Sequence, residues 1–591
     1  MSVRELITEH LELWMGSVTQ KSTRGRGNNG KIELTGIKKL RELILELAVS
    51  GKLVEQDLAD EPANTLMNRI TQERVRLLTE GAIKKPKKLK NTRDNGGEPF
   101  DIPASWQWSP LDDLAPTPLF DGDWIESKDQ DPSGDIRLLQ LADIGVGTFK
   151  NSSSKYINSE TFQRLSCSKV IPGDILIARL PNPIGRAIIF PGLKQECITA
   201  VDVAILRTDG MLDKSYLVYA LNSAPSLKQV ESYGKGATRF RISTGHLKTI
   251  LIPVPPLAEQ RRIVQKVDEL MVLCDRLEQQ SSDQLKAHET LVDTLLGTLI
   301  QSENAAELAD TWARLATHFD TLFTTEQSID KLKQTILQLA VMGRLVEQDA
   351  AIESAALLSA IYQRKLALAH HKKIKKPRPL VPLTDSKNTY LAPSSWTWAS
   401  FQDVADEIST GPFGSMIHKH DYVENGTPLI NPSHMVNGTI KEDRSISVTE
   451  SKADDLASYR LAEGDIVMAR RGEVGRCAIV ANREAGWLCG TGSFVLRFNP
   501  EVNRRFILLL FATATVRSYL SGNSVGTTMT NLNHGILNRM PVALPSASEQ
   551  NRIVQKVDQL MTLCDQLKQR LNQASETRCQ LANTVVAAAL D

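Results

Sequence analysis

A chain of 591 residues, 41% of them hydrophobic and 24% charged, is that of an ordinary soluble protein with ample core, long enough for about four domains. Its formal net charge of +1 excludes a global electrostatic field, so any nucleic-acid surface must be a local patch. No apolar run reaches the roughly 18 residues of a membrane span, the first residues hold no apolar signal core, and seven scattered cysteines without metal-type spacing fit a reducing cytoplasm.

Residues 3–18 place Leu6, Ile7, Leu11, Leu13 and Trp14 at helical spacing and predict a helix. The Gly- and Asn-rich stretch 23–30 predicts a mobile loop. It ends in Gly25-x4-Gly30-Lys31, close to a phosphate-binding loop. Ile32, however, stands where Ser or Thr must hold magnesium, and no strand precedes the loop, so no nucleotide site is expected. Residues 37–58 predict a helix with a short extended tail. Within them Leu47-Ala-Val-Ser-Gly-Lys-Leu-Val-Glu-Gln-Asp57 recurs as Leu339-Ala-Val-Met-Gly-Arg-Leu-Val-Glu-Gln-Asp349. Gly51 and Gly343 occupy the place of helix-ending glycines. A helix over about 63–80 leads to the basic Ile83-Lys-Lys-Pro-Lys-Lys-Leu89, echoed by Ile374-Lys-Lys-Pro-Arg-Pro-Leu380. Such linkers are solvated spacers or phosphate contacts beside a DNA-binding domain.

A variable block follows. It opens with Ile102-Pro-Ala-Ser-Trp-Gln-Trp108 and closes near Ile252-Pro253; its counterpart opens with Ala392-Pro-Ser-Ser-Trp-Thr-Trp398 and closes near Met540-Pro541. Short strand-like runs between turn residues predict a compact, β-rich α/β domain in each. Gly173-Asp-Ile-Leu-Ile-Ala-Arg179 and Ile184-Gly-Arg-Ala-Ile-Ile-Phe190 predict a hairpin with an arginine on either side of its loop. Gly464-Asp-Ile-Val-Met-Ala-Arg470 and Val474-Gly-Arg-Cys-Ala-Ile-Val480 repeat it. A late Gly-rich turn also recurs, at 236–239 and 526–529.

After each block comes a rod. Arg262-Ile-Val-Gln-Lys-Val-Asp-Glu-Leu-Met-Val-Leu-Cys-Asp-Arg-Leu277 returns 290 residues later, from Arg552 to Leu567, with thirteen of sixteen positions identical. Ile263, Val267, Leu270, Cys274 and Leu277 step by four, three, four and three, as do Ile553, Val557, Leu560, Cys564 and Leu567. That is a coiled-coil seam, with the cysteines as small buried thiols. Between the first rod and the second helical unit, Leu308, Trp312, Leu315 and Phe319 predict one more helix. The chain is thus two halves with the same order: helical unit, basic linker, variable domain, rod. A near-identical frame carrying divergent heads can hold two copies of one partner while each head binds something different.

These features resemble the specificity subunit of type I restriction–modification enzymes. The two Trp-x-Trp entries, the paired Gly-Asp-Ile strands, and the rod entries Pro256-Leu-Ala-Glu-Gln-Arg-Arg-Ile-Val264 and Pro545-Ser-Ala-Ser-Glu-Gln-Asn-Arg-Ile-Val554 carry the likeness over essentially the whole chain. The resemblance implies an α+β fold with an internal pseudo-twofold repeat. Its parts are a helical unit and linker (1–98), a target recognition domain (99–254), a central region of long helix, helical unit and linker (255–390), a second recognition domain (391–543) and a C-terminal long helix (544–591). It also implies that the long helices pair as an antiparallel coiled coil that sets the spacer of a bipartite site in double-stranded DNA. The frame would dock two methyltransferase subunits, and restriction–translocase subunits would join. S-adenosylmethionine, ATP and Mg2+ would sit on those partners, with no cofactor in this chain. The length and the N-terminal helical unit point to the IB branch.

If the heads read different sequences, residues they share are not the main base readers. Arg179/Arg470, Arg186/Arg476 and Thr238/Thr528 are therefore assigned to phosphate contact or to holding the loop. An arginine satisfied inside its own domain is the alternative. Residues that differ at the same places are candidates for base edges: Asn182, Arg239 and Arg241 in the first head, and Arg471, Met529, Asn531 and Asn533 in the second. Lys419 and His420, after Gly411-Pro-Phe-Gly414, join them. Arginine suits guanine and asparagine suits adenine in the major groove. Trp106, Trp108, Trp396 and Trp398 could stack on bases, but their place at the domain entry favours core packing. His370, His371, His418 and His420 lack partners at metal spacing. The one Pro-Pro pair, Pro255-Pro256, lacks the flanks of a base-gripping methyltransferase loop, so catalysis by this chain alone is not expected. A coiled-coil adaptor with two protein-binding heads is the competing reading.

Overall fold

The computed structural model describes residues 3–20, 32–83, 97–236, 240–302, 305–381, 383, 390–413, 416–473, 475–522 and 532–590. It divides into two compact units, 1–285 with 574–591, and 286–573. The fold is α+β, and each unit joins a helical frame to one head.

In the first unit the helix expected over 3–18 is two helices, Val3–Glu9 and Leu11–Gly16. The chain leaves helical geometry at His10, and Trp14 is fully buried in the core. Gly36 lies against the Trp14 carbonyl, where a Cβ would stand 2.2 Å from the oxygen. That approach is a long-range constraint which local periodicity does not express. The main frame helices are Thr35–Val49 and Ala63–Thr79, and in the second unit Glu326–Val341 and Ala351–His370. Gly51 (φ +74°) and Gly343 (φ +68°) end the first helix of each pair. The following amides of Lys52 and Arg344 donate to Leu47 O and Leu339 O at 3.0 Å, closing the helix ends. A side chain at either glycine would also strike Pro103 or Pro393, with Cγ 2.5 Å from the Cβ position.

The first tryptophan of each entry motif is the clasp between head and frame. Trp106 Nε1 donates to Glu259 Oε2 at 2.9 Å, and Trp396 Nε1 to Glu549 Oε1 at 2.8 Å, all within the core. Burial pushes both carboxyls up, and the indole hydrogen bonds oppose that shift. The strands that follow, Gln107–Pro110 and Thr397–Ser400, pair antiparallel with Leu251–Val254 and Pro541–Leu544. Each head thus enters and leaves on one two-stranded ribbon.

Both heads hold the same four-stranded antiparallel sheet. The spatial order is Phe120–Asp121, Val203–Leu206, Ile175–Ala178, Ala187–Ile189 in the first. In the second it is Glu407–Thr410, Ser493–Arg497, Ile466–Ala469, Cys477–Ile479. The expected hairpin forms in each, with Ile177 opposite Ala187 and Met468 opposite Cys477. The central strands are unbroken apolar runs because both faces are covered. Ile175, Ile177, Ala204 and Leu206 face the frame-side core, while Leu176, Ala178, Val203 and Ile205 face a second, smaller one. Ile466, Met468, Phe494 and Leu496 and, on the other face, Val467, Ala469 and Val495 repeat this division. A further sheet in each head contains one parallel pair, Ile136–Leu139 with Cys197–Thr199, and Thr427–Ile430 with Leu488–Cys489.

The rods are single helices, Leu257–Gln301 and Ala547–Leu590. Each is about 65 Å long at the helical rise. In the first unit Ile263, Val267, Leu270, Cys274 and Leu277 are buried, and Ala582, Val585, Val586 and Leu590 from the end of the second rod share that core. In the second unit Ile553, Val557 and Cys564 share a core with Val292, Leu296 and Leu299 from the end of the first rod. The start of one rod therefore packs with the end of the other in each unit, an antiparallel pairing. The 23–30 loop lies outside the described residues. No helix among the described residues is long and apolar enough to cross a membrane.

Candidate nucleic-acid interface

The loops at one end of each four-stranded sheet gather most of the described candidate residues. In the first head, Ala178 ends its strand and Arg179 turns inward. Its guanidinium pairs with Asp121 at 2.6 Å and donates to Val201 O at 3.0 Å and Ile242 O at 3.1 Å. Burial lowers its pKa, and Asp121 opposes that effect. Thr244 Oγ1 donates to the same carboxylate at 2.6 Å. Arg186 is buried on the other side of the hairpin loop. It donates to Ile144 O at 2.7 Å, Pro183 O at 2.9 Å, Leu180 O at 3.0 Å and Leu141 O at 3.0 Å. Of the two roles expected for Arg179 and Arg186, phosphate contact or holding the loop, these bonds favour the second. Both guanidinium groups are engaged inside the domain, and Arg186 holds the loop that presents exposed Asn182. Arg241 stays half-buried, donating to Val201 O at 3.3 Å with Asp202 at 3.6 Å.

The second head keeps the backbone and changes the charges. Arg470 N–H donates to Gly492 O, as Arg179 N–H donates to Asp202 O. Thr410 lies opposite Phe494, which lies opposite Met468; Asp121 lies opposite Ala204, which lies opposite Ile177. Met468 and Ile177 each stand two residues before the shared arginine. Thr410 thus occupies the place of Asp121, and Gly492 that of Asp202. Arg470 consequently has no carboxylate partner among the described residues; it lies 5.3 Å over the Phe494 ring, with a buried Nε lacking a hydrogen-bond acceptor. Burial and neighbouring Arg471 both lower its pKa. Arg471 is exposed, and its side-chain stem lies over Gly492. Arg476, the counterpart of Arg186, is half-exposed and pairs with Glu473.

Asn533 accepts from Ile536 N–H at 3.0 Å and caps the helix His534–Asn538, as Ser243 caps Thr244–Lys248. Its oxygen is committed to that cap. Lys419 and His420 are exposed on a separate turn, Lys419–Asp421, where the His418 and His420 rings stack at 5.4 Å. Thr238, Arg239, Thr528, Met529 and Asn531 lie outside the described residues. Among the described residues no group of three or more His, Cys, Asp or Glu is arranged to hold a metal ion.

Two residues at these sheet ends escaped the sequence reading. Gly122 N–H donates to Val203 O, and Gly411 N–H to Ser493 O, so the glycines are equivalent. Two residues further on stand Trp124 and Phe413, 66% and 65% exposed. The shared Gly-x-aromatic spacing was the available signal.

The sequence matches the family described as "Type I restriction modification DNA specificity domain" twice, over residues 103–287 and 393–576. The chain belongs to this family. Each match spans one head and the first part of the rod that follows it. Among curated relatives of this type I specificity family, the chain is 35% identical over 606 residues to the type I restriction enzyme EcoEI specificity subunit of Escherichia coli. It is 36% identical over 607 residues to the EcoAI specificity subunit of the same organism. Both alignments cover 100% of each chain. A crystal structure of the HsdS subunit from Thermoanaerobacter tengcongensis is 17% identical, with a TM-score of 0.39, covering 83% of this chain and 98% of that one. The role of the chain is DNA sequence specificity within a type I restriction–modification system, and its family name denotes recognition rather than catalysis.

Proposed function

We propose that each head reads one half of an asymmetric, bipartite double-stranded DNA site, with the sheet-end loops as its contact surface. The observation that carries this reading is the divergence of two topologically identical sheet ends: Asp121 and Asp202 in one become Thr410 and Gly492 in the other, on the same backbone. Asn182, Arg239 and Arg241 read bases in the first head, and Arg471, Asn531 and Asn533, with Lys419 and His420, in the second. Arg470, Arg476, Thr238 and Thr528 serve phosphate or loop. The near-identical frame docks two adenine-N6 methyltransferase subunits, and restriction–translocase subunits complete the assembly in the cytoplasm. S-adenosylmethionine, ATP and Mg2+ belong to those partners. The long helices set the spacer between half-sites.

Salt separates this reading from a protein-binding adaptor. The complex of this chain with its methyltransferase should bind duplex DNA with an affinity that falls linearly against salt on logarithmic axes. For six to ten phosphate contacts the loss is roughly 10³- to 10⁵-fold between 50 and 200 mM. A soluble, assembled complex that binds no duplex at low salt would favour the adaptor.

A further inference from the structure

We infer that Trp124 and Phe413 form a matched pair of apolar DNA contacts, one per head, that lie against the sugars of each half-site without reading sequence. The inference rests on the proposed DNA-reading role. Among the described residues, Trp124 and Phe413 are the Trp, Tyr and Phe side chains left more than half exposed, whereas Trp106 and Trp396 are buried at 6% and 5%. Here two of them occupy the same topological place in heads whose sequences have otherwise drifted apart. Each follows a glycine that the fold requires. A Cβ at Gly122 would stand 2.4 Å from Ala200 O, and one at Gly411 would stand 2.1 Å from Gly490 O. Each aromatic is thus anchored by a backbone crossing that fixes where it leaves the domain.

The backbone around each aromatic leads to a candidate base reader, Arg241 in the first head and Arg471 in the second. Asp123, next to Trp124, donates its N–H to Thr199 O at 2.8 Å and accepts from Val201 N–H at 2.9 Å. Val201 O in turn receives both Arg179 and Arg241. In the second head, Gly411 N–H bonds Ser493 O at 3.0 Å, beside Gly492, over which Arg471 lies. Trp124 also donates to Glu126 Oε1 at a long 3.4 Å. The surface is divergent in charge and constant in aromatic character. A docking face for two copies of one partner would be expected in the near-identical frame. A flat apolar contact against deoxyribose carbons is indifferent to base identity, because every nucleotide of a duplex carries the same sugar. That suits a residue type kept while the base readers around it change.

The test uses the full complex and a duplex carrying the motif read from DNA methylated by that complex. Trp124→Ala, and separately Phe413→Ala, should weaken binding about tenfold or more, the loss expected when a large apolar side chain buried at an interface is removed. The slope of affinity against salt should stay unchanged, because no phosphate contact is lost. The methylated motif should be the same. Trp124→Phe should restore most of the affinity, and thermal unfolding should match the wild type. Wild-type affinity in both alanine variants would overturn the inference while leaving DNA recognition intact. Loss of methyltransferase from the purified complex would also overturn it, by making these residues protein-docking contacts. Failure of the wild-type complex to bind DNA would remove the proposed function and this inference together.

Discussion

Adding one heptad to each long helix lengthens the spacer of the recognised site by about three base pairs, at roughly 10.5 Å of added helix and 3.4 Å per base pair, and leaves both half-sites unchanged. The first insertion goes between Glu278 and His288 and the second at the matching place between Lys568 and Arg578. Both helices cross from one unit to the other within these intervals, at 285/286 and 573/574. Seven residues keep the seam in phase, so Val292, Leu296 and Leu299 still meet their core. A two-residue insertion rotates everything beyond it by about 200° and turns that seam to solvent; the expected result is loss of assembly rather than a new spacer. The spacer is read from methylated genomic DNA. Altered half-site bases with an intact spacer would contradict the account of the rods.

The same arginine should give opposite results in the two heads. Arg179→Ala strips Asp121 of its cation, removes the donor to Ile242 O and leaves Val201 O only its longer bond from Arg241. Because Asp121 is 34% exposed, the expected cost to the first unit is about 2–3 kcal/mol, below the roughly 3–5 of a fully buried pair. Arg470→Ala strands no carboxylate among the described residues. Its stability cost should stay within about 1 kcal/mol, the worth of its contact with the Phe494 ring. It should instead weaken DNA binding across all sequences and reduce the salt slope by about one. Hydrogen exchange in the assembled complex measures the first effect, and binding across a salt series the second. Equal losses of protection in both heads would show that the shared arginine has one structural role.

These predictions mark what was legible in the sequence. The rods were legible because a period of three and four, free of proline and repeated almost residue for residue, fixes both the helix and its buried face. The hairpins were legible because Gly-Asp-Ile runs of buried strand residues stand close together in the chain. The split of the first helix at His10 was not, since the helical spacing of Leu6, Ile7, Leu11 and Trp14 runs straight through it. The roles of Arg179 and Arg470 were not legible for the same kind of reason. Both end matching strand motifs, and the residues that separate them, Asp121 and Thr410, lie about sixty positions earlier and meet them only through sheet pairing. Arg186 and Arg476 repeat the lesson, with four carbonyls around one and Glu473 beside the other. A shared residue can be read from a repeat; a shared environment cannot.

The most direct test of a two-headed DNA reader is a single-molecule methylome of a host expressing this chain with its methyltransferase, against the same host without this chain. A new methyladenine motif made of two unlike half-sites separated by a fixed gap is expected. A gapless motif, or no new methylation from a soluble and fully assembled complex, would contradict two-headed reading.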